Sequence, residues 1–350
     1  MLTIGRDGRR RGSKRGAAIV IAAVTAAAVI VPASVSAASV EHGKKAGNGG
    51  PRVIIDTDLS KWWDDASTIG LANVLHGQGK LRLLGIVSDV KNKTAVTALD
   101  AINTAYGNGK IPLGAVAGTD EDTFDHGYTD ELASALPHSV KDSDDVPDAV
   151  AVYRKLLAKQ PDHSVTILSV GGFTNLADLL ASKGGQGSKL DGRKLIARKV
   201  KRLVQMDGLF PGGGPAFTNQ KIDLEAATAV VEGDWPTPIA WVDGFGGIST
   251  RVGGTLCTEA PPKHPMRVVY EILFECAEPG DGNWDVPTLL YAIGDIPDVF
   301  EELGQRGAAV INDSGGLTWE TPSTREEDLY VHVTDQEALN ARIDELLVLR

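Results

Sequence analysis

The fold is decided by one stretch near the start of the folded part of the chain, Val53-Ile54-Ile55-Asp56-Thr57-Asp58-Leu59-Ser60-Lys61-Trp62-Trp63-Asp64-Asp65. A β-branched apolar run predicts a buried strand, and the residues from Asp64 onward predict a helix. Four carboxylates lie at this junction. Neighbouring carboxylates raise each other's pKa, so the cluster predicts a hard cation at the end of the strand. The alternative is a solvated acidic loop in which Asp64 and Asp65 complement the helix dipole.

The same order of strand and helix continues along the chain. Apolar runs predict strands, and amphipathic segments between them predict helices. This alternation predicts an α/β fold with an open, mostly parallel sheet covered by helices on both faces, in a single large domain over residues 51–350. The predicted strands are Arg52–Thr57, Leu81–Ser88, Ile111–Ala117, Val165–Val170, Val200–Met206, Ile239–Val242 and Leu329–Val333. The predicted helices are Asp64–Leu75, Thr94–Tyr106, Val146–Gln160, Thr174–Ala181, Leu224–Val231, Pro265–Phe274, Val286–Ile293 and Gln336–Leu349.

The first 50 residues have a different composition. Basic residues between Arg6 and Arg15 precede the uncharged run from Ala17 to Val31 and the small residues before Ala37. This pattern predicts a signal peptide over residues 1–37, a flexible linker over 38–50 and a secreted protein without membrane association after cleavage. A membrane anchor is the alternative, although the run is short for a span. The arginines are also compatible with a twin-arginine pathway.

Charge and cysteine content limit the possible partners and the redox compartment. Cleavage would remove six basic residues and Asp7, which changes the net charge from −11 to −16. No basic stripe with interleaved aromatic residues is present, so a polymeric nucleic acid is not an expected partner. The chain has 2 cysteines, Cys257 and Cys276. Outside the cytosol they are expected to form a disulfide, the alternative being two buried thiols.

Further motifs carry a resemblance to a known family. They are Ala98-Leu99-Asp100-Ala101-Ile102-Asn103, Val170-Gly171-Gly172-Phe173-Thr174-Asn175-Leu176, Val204-Gln205-Met206, Asn219 before Asp223-Leu224-Glu225-Ala226-Ala227, and Trp284-Asp285. In this order, after an Asp-x-Asp and an Asp-Asp pair, the chain resembles the inosine-uridine preferring nucleoside hydrolases. The opening motif has two extra residues before the Asp-Asp pair. On its own, Asp285 would be interpreted as a helix N-cap.

The resemblance implies a set of site residues. Asp58, Asp65 and Asp285 match the carboxylates that bind Ca²⁺, and Val170 matches the residue whose main-chain carbonyl completes the protein ligands. Oxygen ligands of this kind suit a hard cation. The sugar-binding positions are matched by Asp64, Asn92, Met206 and Asn219, and Asp56 matches a structural position.

The resemblance also implies a reaction. The family hydrolyses the N-glycosidic bond of ribonucleosides or related N-ribosyl compounds through an oxocarbenium-like transition state. Asp58 would activate a calcium-bound water, and the carboxylates would favour the positive charge that develops on the sugar ring. A small-molecule nucleoside is therefore the expected partner, and a homo-oligomer is the expected assembly.

Several residues depart from the family pattern. Trp62 stands where an Asp is frequent, and it would either stack on a base or pack the loop. Phe217 replaces a Glu that recognises the 5-hydroxyl, and Trp284 replaces a His that protonates the leaving base in one subgroup. His126 is a candidate acid near the mouth of the site, although a loop histidine is more often a surface residue.

Two other interpretations remain open. A strand followed by Asp56-Thr57-Asp58 also fits a haloacid-dehalogenase-type phosphatase, with Asp56 as the nucleophile and Mg²⁺ as the cofactor. That interpretation leaves Asp64, Asp65 and the Gly171–Asn175 segment unexplained. A non-catalytic binding protein that keeps the calcium is the other alternative, and Trp62, Phe217 and Trp284 favour it.

Overall fold

The computed structural model describes residues 49–60, 62–117, 128–233, 235–276 and 282–350. Ten strands are found in this part of the chain: β1 Arg52–Thr57, β2 Arg82–Ser88, β3 Leu113–Ala115, β4 Val165–Ser169, β5 Val200–Met206, β6 Ile239–Val242, β7 Phe300–Leu303, β8 Ala308–Ile311, β9 Leu317–Glu320 and β10 Leu329–Val333. Eight of them form the central sheet in the order β3-β2-β1-β4-β5-β6-β10-β7.

The α-helices of the described residues are α1 Trp63–Gly77, α2 Ala95–Ala105, α3 Tyr128–Ala135, α4 Ala149–Ala158, α5 Thr174–Ala181, α6 Gly192–Lys199, α7 Thr218–Ile222, α8 Leu224–Val231, α9 Gly244–Ser249, α10 Leu256–Glu259, α11 Pro265–Phe274, α12 Asp285–Ile293 and α13 Gln336–Leu347. Among these residues no helix is long and apolar enough to cross a membrane. The predicted α/β fold is confirmed.

The sheet is parallel except at one edge. Neighbouring strands from β3 through β6 to β10 run parallel, and β7 pairs antiparallel with β10. The strands β8 and β9 form a separate antiparallel pair. Parallel strands place all their carboxyl ends at one edge, which is where ligands bind in open α/β sheets.

The core has two parts, one on each face of the sheet. Ile55 belongs to the part that also contains side chains of α1, α2, α11, α12 and α13. Its neighbour Ile54 belongs to the part that contains side chains of α4, α5, α6 and α8. Both side chains are fully buried, which explains why the first strand is continuously apolar instead of alternating.

A disulfide joins Cys257 in α10 to Cys276, just beyond α11, with 5.9 Å between their Cα atoms. The predicted pairing of the two cysteines is confirmed. The bond ties the end of α11 to a short helix that has little core of its own, since Leu256 is the fully buried residue of α10.

Candidate metal and substrate site

The acidic residues of the opening motif meet Asp285 at the carboxyl edge of the sheet. Asp58 directly follows β1, Asp64 and Asp65 lie in the first turn of α1, and Asp285 begins α12. The two helix N-termini are linked because the N–H of Trp284 donates to Asp64 Oδ2 at 3.1 Å. Two positive helix ends therefore face the same group of carboxylates, which favours negative charge there.

Thr57 fixes the loop between β1 and α1. Its hydroxyl donates to Asp65 Oδ1 and accepts the N–H of Leu59 at 3.3 Å. The hydroxyl of Ser60 donates to the carbonyl of Asp58 at 3.2 Å. These local bonds hold one oxygen of Asp65 in the fold, while Asp65 Oδ2 is buried and has no hydrogen-bond partner among the described residues.

The carboxylates are close enough to share an ion. One oxygen each from Asp64, Asp65 and Asp285 lies within 4.8 Å of the others, and all three side chains are buried. Buried carboxylates at this spacing and the unpartnered Asp65 Oδ2 fit a hard cation with oxygen ligands. This trio contains Asp64 in place of Asp58, so the predicted ligand set of Asp58, Asp65 and Asp285 overlaps it in two residues.

Burial and mutual repulsion raise the pKa values of these groups. Burial and then the negative charge of Asp64 raise the pKa of Asp58 to about 7. Burial, followed by the charge of Asp58, raises the pKa of Asp65 well above its usual range. The pKa of Asp285 is also raised by burial, and then by Asp64 and Asp58. The cluster therefore needs a nearby positive charge to stay ionised at neutral pH.

Asp56 has a different environment from the cluster. Its Oδ2 accepts a hydrogen bond from the Tyr153 hydroxyl at 2.8 Å, and its Oδ1 accepts one from Asn175 Nδ2 at 2.9 Å. The side chain is fully buried. A carboxylate whose two oxygens are held in this way has no free path to an electrophile, which argues against Asp56 as the nucleophile of a phosphatase and favours a structural role.

A cavity of about 450 Å³ opens above the carboxylates. It is lined by the four carboxylates Asp58, Asp64, Asp65 and Asp285, and also by Val170 and Lys221. Much of the remaining lining is apolar and consists of Trp62, Trp63, Met206, Phe217, Ile248 and Trp284. A site lined by both charged oxygens and aromatic rings suits a ligand with a polyhydroxylated part and a flat, weakly polar part.

The two tryptophans of the opening motif have different surroundings. The ring of Trp63 packs edge-to-face on Phe274 at 5.1 Å between centroids, and its side chain is buried. Trp62 is half-buried and lies edge-to-face with Trp63 at 6.0 Å. Trp63 therefore packs the loop, whereas Trp62 presents part of its ring to the cavity.

Asn219 and Asn92 were both predicted to contact the sugar. Asn219 lines the cavity, and its Nδ2 donates to the carbonyls of Val170 at 3.1 Å and Met206 at 3.0 Å. Asn92 does not line it; its Oδ1 accepts from the N–H groups of Thr94 at 2.7 Å and Ala95 at 3.1 Å, at the start of α2. The sugar contact of Asn92 stays a prediction, and His126 lies outside the described residues.

Asp89 is a buried carboxylate at the same edge of the sheet that the sequence interpretation did not select. It directly follows β2, and its N–H donates to the carbonyl of Thr57 at 3.1 Å. Its side chain is 2% exposed. A signal existed in the sequence, because Asp89 follows the second strand just as Asp58 follows the first, and adjacent parallel strands end at the same edge.

Comparison with known proteins supports the resemblance. No family model matches the sequence. The chain is 28% identical over 204 residues to the inosine-uridine preferring nucleoside hydrolase of Crithidia fasciculata. The aligned region covers 55% of this chain and 60% of that protein. The chain thus spans less than two thirds of the curated relative that it matches.

Solved structures match over most of the chain. An inosine-uridine preferring nucleoside hydrolase from Bacillus anthracis has a TM-score of 0.63 at 16% identity, covering 85% of this chain and 99% of that one. The type III effector protein XopQ, solved with adenosine diphosphate ribose, has a TM-score of 0.64 at 17% identity, covering 85% and 94%. The fold is that of the nucleoside hydrolases, and the predicted resemblance is confirmed.

Proposed function

We propose that this protein hydrolyses the N-glycosidic bond of ribonucleosides or related N-ribosyl compounds with the help of a bound calcium ion. The observation that carries the proposal is the cavity itself, in which carboxylate oxygens of Asp64, Asp65 and Asp285 lie within 4.8 Å of one another. The apolar side chains that line the same cavity would receive a base. The similarity to the Crithidia fasciculata hydrolase supports the same reaction.

In this proposal, some residues of the cavity bind the ion and another accepts a proton. When bound, a hard divalent cation would increase the acidity of a water in the cavity and hold vicinal hydroxyls of the sugar. Asp64, Asp65, Asp285 and the Val170 carbonyl are the groups that would hold this ion. Asp58 would accept the proton of the attacking water, and its burial keeps that carboxylate away from competing solvent.

The remaining carboxylate charge acts on the transition state. An N-ribosyl bond that breaks ahead of the attack leaves positive charge on the sugar ring, and buried carboxylates stabilise that charge more strongly than water does. Asn219 would keep the Val170 carbonyl in place through its hydrogen bond at 3.1 Å. The wall formed by Trp62, Phe217 and Trp284 would hold the base by stacking and apolar contact.

The experiment is an assay of the intact protein against a panel of purine and pyrimidine nucleosides, with the free base and ribose separated by chromatography. Release of both products from at least one nucleoside, abolished in Asp58→Asn, is the expected result. Asp207→Asn, which changes a buried carboxylate after β5, is the matched control and should keep the activity. Tight nucleoside binding without product release would favour the non-catalytic alternative.

The phosphatase alternative is tested with the same preparation. Hydrolysis of p-nitrophenyl phosphate with Mg²⁺, lost on Asp56→Asn, would overturn the proposal. We expect no such hydrolysis, because both oxygens of Asp56 are already hydrogen-bonded.

We also propose that the protein is secreted, with mature chain beginning close to Ala38, and that it is a homo-oligomer. The basic start and apolar run support export, and a native disulfide is consistent with an oxidising compartment. Mass spectrometry of protein collected outside the producing cell tests the cleavage, and light scattering measures the assembly. An intact N-terminus or a monomeric mass would contradict the respective part.

A further inference from the structure

The geometry points to Asp89 as a further carboxylate of the cation-binding centre, one that approaches Asp58 from the strand side of the cavity and adds negative charge to the bound ion. This inference rests on the proposed function, because it concerns the same ion. It assigns a role to a residue that does not line the cavity and that the ligand set above does not contain.

The position of Asp89 is fixed by the sheet. Ser88 is the register partner of Thr57 in the pairing of β1 with β2. The next residue, Asp89, keeps this pairing through its N–H, which donates to the Thr57 carbonyl at 3.1 Å. Asp89 therefore lies beside Asp58, each being the first residue after its strand.

Gly171 shows how close the two residues come. A Cβ on Gly171 would stand 2.6 Å from Asp89 Oδ2 and 2.6 Å from the main-chain N of Asp58. The carboxylate of Asp89 thus occupies the space where any other residue would place a side chain. It reaches the turn after β4, immediately beyond the Val170 carbonyl that would bind the ion.

The carboxylate of Asp89 has no hydrogen-bond partner within the described part of the chain. Its side chain is 2% exposed, and neither Oδ1 nor Oδ2 accepts a hydrogen bond there. Both oxygens are therefore available to a bound ligand.

Asp89 can stay ionised in this buried position only with a positive charge nearby. Asp56 supplies no positive charge, and its oxygens already accept hydrogen bonds from Tyr153 and Asn175. Asp65 Oδ2, on the cavity side, is likewise without a partner. A single cation between the unpartnered oxygens of Asp89 and Asp65 would offset the negative charge of both carboxylates, either by direct ligation or through a bound water.

The test measures ion binding without relying on catalysis. The intact protein, freed of metal by chelation, is titrated with Ca²⁺ in a calorimeter, and Tb³⁺ emission sensitised by the cavity tryptophans gives a second readout. In Asp89→Asn, which keeps the shape of the side chain, we expect the calcium dissociation constant to rise about 10-fold, the scale for groups that support metal ligands.

Asp207→Asn is the matched control. Asp207 is also a fully buried aspartate that directly follows a strand, and its Oδ2 has no partner, but other carboxylates do not shift its pKa. It should leave the calcium dissociation constant unchanged. Asp89→Ser serves as a second variant if Asp89→Asn fails to fold.

The outcomes separate this inference from the proposed function. Calcium affinity within twofold of the parent in Asp89→Asn, with Asp285→Ala impaired, would overturn the role of Asp89 alone. A parent protein that binds neither Ca²⁺ nor Tb³⁺ would overturn the cation centre and this inference with it. Equal weakening in Asp89→Asn and Asp207→Asn would also contradict the inference, because it would show a general effect of buried charge.

Discussion

The carboxyl edge of the sheet has two halves that accommodate buried carboxylates in different ways. After β1 and β2, Asp58 and Asp89 lie beside the acidic residues of α1 and α12, and the charges of neighbouring carboxylates raise their pKa values further. After β5 and β6, Asp207 is isolated and Asp243 Oδ2 lies 2.6 Å from His332 Nε2.

On this difference we base the proposal that the half after β1 and β2 binds an ion. A lone buried carboxyl can hold a proton, as burial raises the pKa of Asp207 to about 8. Asp243 has a partner within the chain that carries a positive charge only when the histidine is protonated. Asp58, Asp64, Asp65 and Asp285 share one cavity, and a bound cation would let these carboxylates remain ionised together.

The largest expected effect comes from the residue that would accept the proton. Asp58→Asn should lower the turnover number at least about 100-fold, the usual scale for a lost general base. Asn keeps one oxygen that can still face the ion, so calcium affinity should fall less than in Asp285→Ala. Steady-state kinetics on the best nucleoside test the turnover number, and calorimetry tests the calcium affinity. Near-normal turnover would show that the role of Asp58 is misassigned.

A similarly large effect on binding is expected when a proposed ligand is removed. Asp285→Ala should weaken calcium binding by at least about 100-fold, the upper end of the range for groups that merely support ligands. Calcium should then no longer raise the unfolding temperature, because stabilisation by a ligand depends on its affinity for the folded state. Differential scanning fluorimetry with and without calcium measures this, and an unchanged calcium-dependent shift would contradict the ligand role.

The pH dependence of the free energy of unfolding distinguishes Asp207, the isolated carboxyl after β5. The folded state raises the pKa of Asp207 from 3.8 to about 8, so the folded protein binds the proton more tightly than the unfolded chain. Its contribution to stability is therefore present at low pH and is lost as pH rises from about 4 to about 8. Relative to the parent, Asp207→Asn should gain at least about 1 kcal/mol of unfolding free energy between pH 5 and pH 8.

Denaturant unfolding at the two pH values measures the gain. The Gly208 N–H, which donates to Asp207 Oδ1 at 2.7 Å, can donate equally to an Asn oxygen, so the substitution removes the titration and little else. A constant difference between variant and parent across this range would contradict the assignment.

The smallest effect is expected at the internally balanced pair. His332 Nε2 lies 2.6 Å from Asp243 Oδ2 and 3.2 Å from the Phe210 carbonyl, and the histidine side chain is 30% exposed. His332→Gln should reduce the free energy of unfolding near pH 6 by about 1 kcal/mol, since partly exposed pairs contribute little. Calcium affinity and turnover should not change, and a loss of either would mean that the two halves are coupled.

The sequence predicted most strands of the central sheet in detail because these strands are largely buried and read as continuous apolar runs. The bounds of β1, β5, β6 and β10 agree with the prediction, and β4 is one residue shorter. The predicted strand Ile111–Ala117 is shortened to β3, Leu113–Ala115. This strand lies at the edge of the sheet, where it has only one neighbouring strand.

The strands β7, β8 and β9 were not predicted. β7 is partly exposed, and β8 and β9 pair with each other outside the central sheet, so their side chains do not form a distinct apolar run. Their pairing depends on distant partners that local sequence does not show. The helices α3 and α6 were also missed; α6 carries four basic residues among its eight and is amphipathic only in context.

At the site, the sequence motifs brought together Asp58, Asp64, Asp65, Val170, Asn219 and Asp285, which all line one cavity. Asp89 was missed although it directly follows the second predicted strand, because the sequence does not show which strands are neighbours. Only the register of β1 with β2 shows that it lies beside Asp58. The capping role of Asn92 Oδ1 likewise depends on where α2 begins.

The decisive measurement is the initial rate of nucleoside hydrolysis as a function of buffered free calcium. We expect the parent protein to be inactive at the lowest free calcium, and the rate to rise to a plateau with a midpoint equal to the calorimetric dissociation constant. Asp207→Asn should follow the same curve, and Asp58→Asn should stay near zero throughout. Full activity of the parent after thorough chelation would contradict the claim that an external cation balances the acidic half of the sheet edge.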